Sequence, residues 1–162
     1  MNLIDVLTQS HKNIRELGEK LANSTESTEQ LALFNELWQQ FFSHEHAEEQ
    51  IAFQLMAKKD IKNEQFTDKA LKYAVDEHHY FEQFVENIAL LPHDNPQRYK
   101  LMQELVLQLD SHMKHEEAYI FPRLNDQLNA EQNERLVGEY LQALSHFKAK
   151  KIGYDKRCYK FS

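Results

Sequence analysis

His112–Pro122 reads HMKHEEAYIFP, and an echo of it stands in the first half of the chain at His44–Phe53, HEHAEEQIAF. Aligned without a gap, the two share a His, two Glu at the fourth and fifth positions after it, and a Phe at the ninth. Each step along a helix turns the chain by about 100°, so a residue four further on lies almost below the first. His44 with Glu48, and His112 with Glu116, therefore each set an imidazole and a carboxylate on one helix face. Such a pair can chelate a metal ion, and it occurs twice.

The 162 residues suit one ordinary domain with room for a core. Three Gly and three Pro are few interruptions, and 41% of residues are apolar. With abundant Leu, Glu, Gln, Lys and Ala, this composition predicts long helices and an all-α fold. Lys and Arg number 19 against 26 Asp and Glu, a net charge of −7. An acidic chain is a poor general binder of nucleic-acid phosphates. No apolar run approaches the roughly eighteen residues of a membrane span. The amphipathic start, MNLIDVLTQSHKNIREL, does not read as a secretory signal, and a single cysteine, Cys158, fits a reducing cytoplasm.

The hydrophobic spacing predicts five helices. The first spans about residues 2–22, with Ile4, Leu7, His11, Ile14 and Leu21 on its inward stripe. The second spans about 28–57, with Ser27 and Gln30 as a candidate capping box. Its stripe is Phe34, Leu37, Phe41, His44, Glu48, Ile51 and Leu55, apolar except at His44 and Glu48. The third spans about 64–91, with Leu71, Ala74, His78, Phe81, Val85 and Ile88 inward; His79 falls on a more polar face. The fourth runs from about 97 to Phe121 or slightly beyond, with Leu105, Leu109, His112, Glu116 and Tyr119 inward and Pro122 set to bend or end it. The last spans about 129–151, capped by Asn129, with Leu136, Tyr140, Ala143 and Phe147 on one face; a basic tail, KAKKIGYDKRCYKF, follows. Residues 1–125 are expected to form an up-down-up-down four-helix bundle. Residues 126–162 add a C-terminal helix and tail packed on the same domain.

In an up-down hairpin, residues equally far from the turn lie at equal height. The midpoint of His11 and His44 falls between residues 27 and 28, that of His44 and His78 at 61, and that of His78 and His112 at 95. All three lie in or beside expected turns. Four imidazoles should therefore share one layer, with Glu48 and Glu116 one turn along. An unpartnered buried polar group costs about 2–7 kcal/mol, against a whole-domain stability of about 5–15 kcal/mol. Six such groups must be satisfied, either as His–carboxylate hydrogen bonds or by metal, and the set suits two first-row ions. His46, His79, His93, His115 and His146 read as surface or hydrogen-bonded histidines, with His115 the best spare ligand. Glu45, Glu49 and Glu117 read as solvated, or as partners that orient the imidazoles.

At these residues the chain resembles the hemerythrin-like (HHE cation-binding) family over roughly Met1–Leu124. The family pattern is matched by His11, by His44 with Glu48, by Glu77-His78, and by His112 with Glu116 running into Phe121-Pro122. The resemblance implies a cofactor of two Fe ions with an oxo or hydroxo bridge. His11, His44, His78 and His112 would be terminal ligands, and Glu48 and Glu116 bridging ones. Oxygen-carrying hemerythrins have a second His one turn along the third helix, where this chain has Ala74 and Glu82, and an Asp where this chain has Glu117. The four-His set looks more like the iron–sulfur-repair and nitric-oxide-responsive branch. That branch typically carries a further N-terminal Cys-containing domain, not found in this sequence.

The expectation is a cytoplasmic metal- and ligand-binding protein rather than a catalyst. It would bind a small diatomic ligand or oxidant (dioxygen, nitric oxide or peroxide) or handle iron, without nucleic-acid or membrane partners. A di-iron redox enzyme and a metal-stapled helical interaction module are the rival readings.

Overall fold

The computed structural model describes residues 1–58, 64–92 and 94–149. The expected connection at 59–63, His93, Cys158 and the basic tail from residue 150 lie outside them. The described residues form helices and no strand. The first rod is α1 (Leu3–Asn23). The second is α2 (Ser27–Glu48), a π-helical turn (Glu49–Phe53) and α3 (Gln54–Lys58). The third is α4 (Glu64–Leu90). The fourth is α5 (Gln97–His115), a second π-helical turn (Glu116–Ile120) and α6 (Phe121–Asp126). These four make the up-down-up-down bundle, and α7 (Ala130–Ala149) packs on α1 and α2.

Local sequence sets the starts. Asn2 and Asp5 form a reciprocal capping box, each side chain accepting the other's backbone N–H at 2.9 and 3.0 Å. Asn129 and Gln132 do the same ahead of α7, at 2.8 and 3.0 Å. The box expected at Ser27 does not form: Gln30 Nε2 donates instead to the Ser24 carbonyl, at 2.9 Å. A Cβ on Gly18 would sit 2.7 Å from Val106 Cγ1, so the missing side chain lets α1 approach α5 closely.

The apolar interior is divided in two. Ile14, Leu17, Trp38, Phe41, Phe81 and Leu109 belong to one cluster, and Leu3, Leu7, Phe53, Met56, Phe121 and Tyr140 to the other. On the first three rods His11, His44 and His78 lie between the two clusters in sequence order, and on the fourth His112 sits at the end of the first cluster beside Met113; each is at most 1% exposed.

The π turns correct the expected stripes. Each holds one residue more per turn than α-helix, so the inward register slips by one after Glu48 and again after Glu116. Ile51 and Leu55 are only half-buried, and Ala52, Phe53 and Met56 turn inward instead. Tyr119 is 48% exposed and Ile120 takes its place at 1%. The second turn also accommodates Pro122. It becomes the second residue of α6, where a missing N–H costs no helical hydrogen bond, so the rod continues to Asp126.

Ile120→Ala should cost about 2–5 kcal/mol in urea denaturation, as a buried truncation does. Tyr119→Ala should stay within about 0.5 kcal/mol, as an exposed change does. The reverse order would mean an unbroken α-helical register.

Candidate metal centre

The histidine layer is made of two facing pairs. His11 Nε2 and His44 Nε2 are 3.0 Å apart, and His78 Nε2 and His112 Nε2 are 2.9 Å apart. Glu116 reaches both pairs, Glu48 stands beside the His11–His44 pair, and both carboxylates are fully buried. Glu48 Oε2 approaches His44 Nε2 to 3.3 Å, and Glu116 Oε1 approaches His112 Nε2 to 2.8 Å and His11 Nε2 to 3.8 Å. Even so, none of the four carboxylate oxygens receives a well-directed hydrogen bond.

The outer nitrogens explain what the inner ones need. His11 Nδ1 pairs with Glu117 Oε1 at 2.7 Å, His78 Nδ1 with Glu49 Oε1 at 2.6 Å, and His112 Nδ1 with Glu77 Oε1 at 3.0 Å. An ionised carboxylate only accepts, so each of these Nδ1 atoms carries the proton. In a neutral imidazole Nε2 is then a bare lone pair. His78 and His112 thus aim two lone pairs at one another, beside a carboxylate oxygen. Only a proton or a cation between them removes that repulsion. Two nitrogens bound to one ion at about 2.1 Å and at right angles would lie about 3.0 Å apart, so both pairs have the spacing of adjacent ligands.

His44 is supported differently. Its Nδ1 meets the Tyr140 hydroxyl of α7 at 2.8 Å, and that hydroxyl meets Ser10 Oγ at 2.9 Å. Glu117 is anchored in turn by Arg15, whose Nη1 and Nη2 donate to its two oxygens at 2.8 and 3.2 Å; Arg15 Nε donates to Asp110 at 2.7 Å. Burial works to raise the Glu117 carboxyl, but His11 and Arg15 hold it down at about 2.

Two sets of donor atoms converge closely enough to hold an ion: His11, His44, Glu48 and Glu116, and His78, His112 and Glu116. Glu116 belongs to both. The six residues singled out by spacing are thus brought together, and His78 rather than the exposed His79 is the inward one. His115 does not join; its ring lies 5.0 Å from that of Tyr73 and 5.1 Å from that of Tyr119. Burial holds His11, His44 and His78 below the usual histidine range, and the neighbouring His112 adds to the effect on His78. His112 goes the other way. Burial opposes its charge, but Glu116 and Glu77 lift it to about 10. Desolvation and the charge of Glu116 push Glu48 well above the carboxylate range.

Tyr140 and Arg15 gave no sign in the sequence, because a Tyr on an apolar stripe reads as core and a lone Arg as surface. Glu77 was named only as the residue before His78 in the family pattern; its place behind His112 could have been found, because its midpoint with His112 falls at the same turn as that of His78 and His112.

Residues 2–88 match the family described as Hemerythrin HHE cation binding domain. The match includes His11, His44, Glu48 and His78; His112 and Glu116 lie beyond it. Neither the curated proteins nor the solved structures return a significant match.

A cation entering the layer displaces the proton that His112 keeps below about pH 10. Affinity for zinc should therefore rise with pH from 6 to 8, by up to about tenfold per unit for each proton released. Competition against a chromophoric chelator measures this. A flat profile would mean that no displaceable proton sits there.

Proposed function

The chain belongs to the hemerythrin HHE cation-binding family, and from that premise we propose that it is a non-haem di-iron protein that binds a small diatomic ligand or oxidant at its buried histidine layer. His11, His44, His78 and His112 would be the terminal ligands, and Glu48 and Glu116 the bridging carboxylates, with an oxo or hydroxo group completing the bridge. The observation that carries the reading is the facing of His78 and His112. Their Nε2 atoms are 2.9 Å apart with carboxylates behind both rings. Four imidazoles and two carboxylates from the core of a four-helix bundle are a donor set for paired first-row ions. Iron held there would supply redox chemistry and a place for a small ligand.

The residues around the layer support a small ligand in particular. Phe53 stacks on His78 with ring centres 6.0 Å apart, and Phe121 stacks on His11 at 5.2 Å. Phe41 and Phe81 set their edges against His112 at 5.9 and 5.4 Å. These rings shield the layer from bulk water, which favours a small ligand over a large substrate. The carboxylates behind His11, His78 and His112 fix the ring planes and raise the basicity of the inner nitrogens. Among the described residues no helix is long and apolar enough to cross a membrane.

Aerobic iron loading should give two irons per chain with an oxo-to-iron absorption band that responds to dioxygen, nitric oxide or peroxide. Fewer irons and no such band would overturn the proposal. Glu116→Gln should lose more iron than Glu48→Gln, because only Glu116 belongs to both donor sets. Tyr140→Phe leaves His44 Nδ1 without its partner and should weaken metal affinity about 10- to 100-fold while leaving the helical circular dichroism intact.

A further inference from the structure

A third set of donors lies outside the histidine layer and shares no residue with it. Glu45 and His46 on α2 and Glu82 on α4 bring two carboxylate oxygens and an imidazole nitrogen within 4.8 Å of one another. Composition and spacing placed Glu45 among solvated or ring-orienting carboxylates, but it is 1% exposed and orients no imidazole of the layer. Neither of its oxygens receives a hydrogen bond from an N–H group or a hydroxyl, and its only hydrogen-bonding neighbour is the carboxyl group of Glu82. Glu45 Oε1 faces His46 Nε2 at 3.7 Å, and the other group pressed against it is Glu82, a second carboxylate. His46 Nε2 lies 2.8 Å from Glu82 Oε1. The His46 ring is held by Phe42 and Phe147, with ring centres at 4.3 and 5.2 Å.

A buried carboxylate set against a half-buried one, with a fixed imidazole beside both, is a group of acceptors that a cation would satisfy. The side chains of His46 and Glu82 remain 31% and 27% exposed, so solvent reaches one side of the cluster while Glu45 closes the other. Two oxygens and one nitrogen, with an open solvent side, are the ligands of a divalent first-row ion that keeps water in its remaining positions.

We propose that Glu45, His46 and Glu82 form a third, solvent-facing cation site, separate from the paired centre and selective for divalent first-row ions. The ion occupies the space among the three converging donor atoms. Behind the site stands Glu49, whose charge reaches Glu45 and whose Oε1 supports His78. An ion at the surface is thus held beside the carboxylate that backs a ring of the inner layer.

The metal-free full chain, titrated with zinc alone in equilibrium dialysis, tests this. Wild type should take up one more zinc per chain than Glu45→Gln/Glu82→Gln, and the missing step should be the weaker, faster-exchanging one. The single change Glu82→Gln, at a half-exposed position, should weaken that step about tenfold or more, the scale lost when even a supporting partner of a ligand is removed. Glu48→Gln/Glu116→Gln should lose the tighter steps and keep this one, which separates it from the paired centre. Equal zinc uptake and equal affinities in wild type and Glu82→Gln would overturn the proposal and leave Glu45 and Glu82 as a proton-sharing pair.

Discussion

A positive charge is required at the centre of this bundle, and the rest of the structure follows from that requirement. Four imidazoles and two carboxylates, each at most 1% exposed, cross the core between two apolar clusters. Left unsatisfied, such a layer would cost more than a whole domain's stability. Outer partners satisfy one side of each ring, and the carboxylates behind His11, His78 and His112 fix the tautomers of those three. That leaves the inner lone pairs converging, and the lifted pKa of His112, about 10, is how the protein alone answers the deficit.

The repeated stretch turns out to be a unit of support as well as of ligation. In His44–Phe53, His44 and Glu48 enter the layer while Glu49 and Phe53 back and stack His78, on another rod. In His112–Pro122, His112 and Glu116 enter the layer while Glu117 and Phe121 back and stack His11. Each motif therefore holds its own imidazole and braces one across the bundle. The π turns make this possible. They bring Phe53 and Phe121, five residues after Glu48 and Glu116, onto the face those carboxylates occupy, where the α-helical stripe would have continued at Ile51 and Tyr119, three after.

The height of the layer was legible because His11, His44, His78 and His112 sit symmetrically about three turns, and because a polar residue on an apolar stripe demands a reason. The shared Phe of the two motifs was legible as a coincidence without a cause. The slip from Tyr119 to Ile120 was not legible. A π turn leaves no mark in residue type, so periodicity carried straight through Glu116 picks the wrong neighbour. Tyr140 was hidden for another reason: nothing in the sequence fixes the register of α7 on α1 and α2. Glu45 was misread because a glutamate one step from the stripe is ordinarily solvated, whereas here α4 supplies Glu82 and covers it.

The two halves of the layer are not equivalent, and the difference comes from α7. His11, His78 and His112 lean on carboxylates, which draw the Nδ1 proton and leave the inner nitrogen richer in charge. His44 leans on the Tyr140 phenol. Burial raises the pKa of that phenol, so it stays a neutral hydroxyl, hydrogen-bonded with Ser10 Oγ of α1 on its other side. The His78–His112 side thus has two strengthened donors and the His11–His44 side one. The lift of His112 has a different origin: Glu116, inside the layer, raises it more than Glu77 behind it does. The fifth helix lies beyond residues 2–88, yet its Tyr140 backs a ring within them, so the last twenty residues of the described chain belong with the candidate site and are not only its cover.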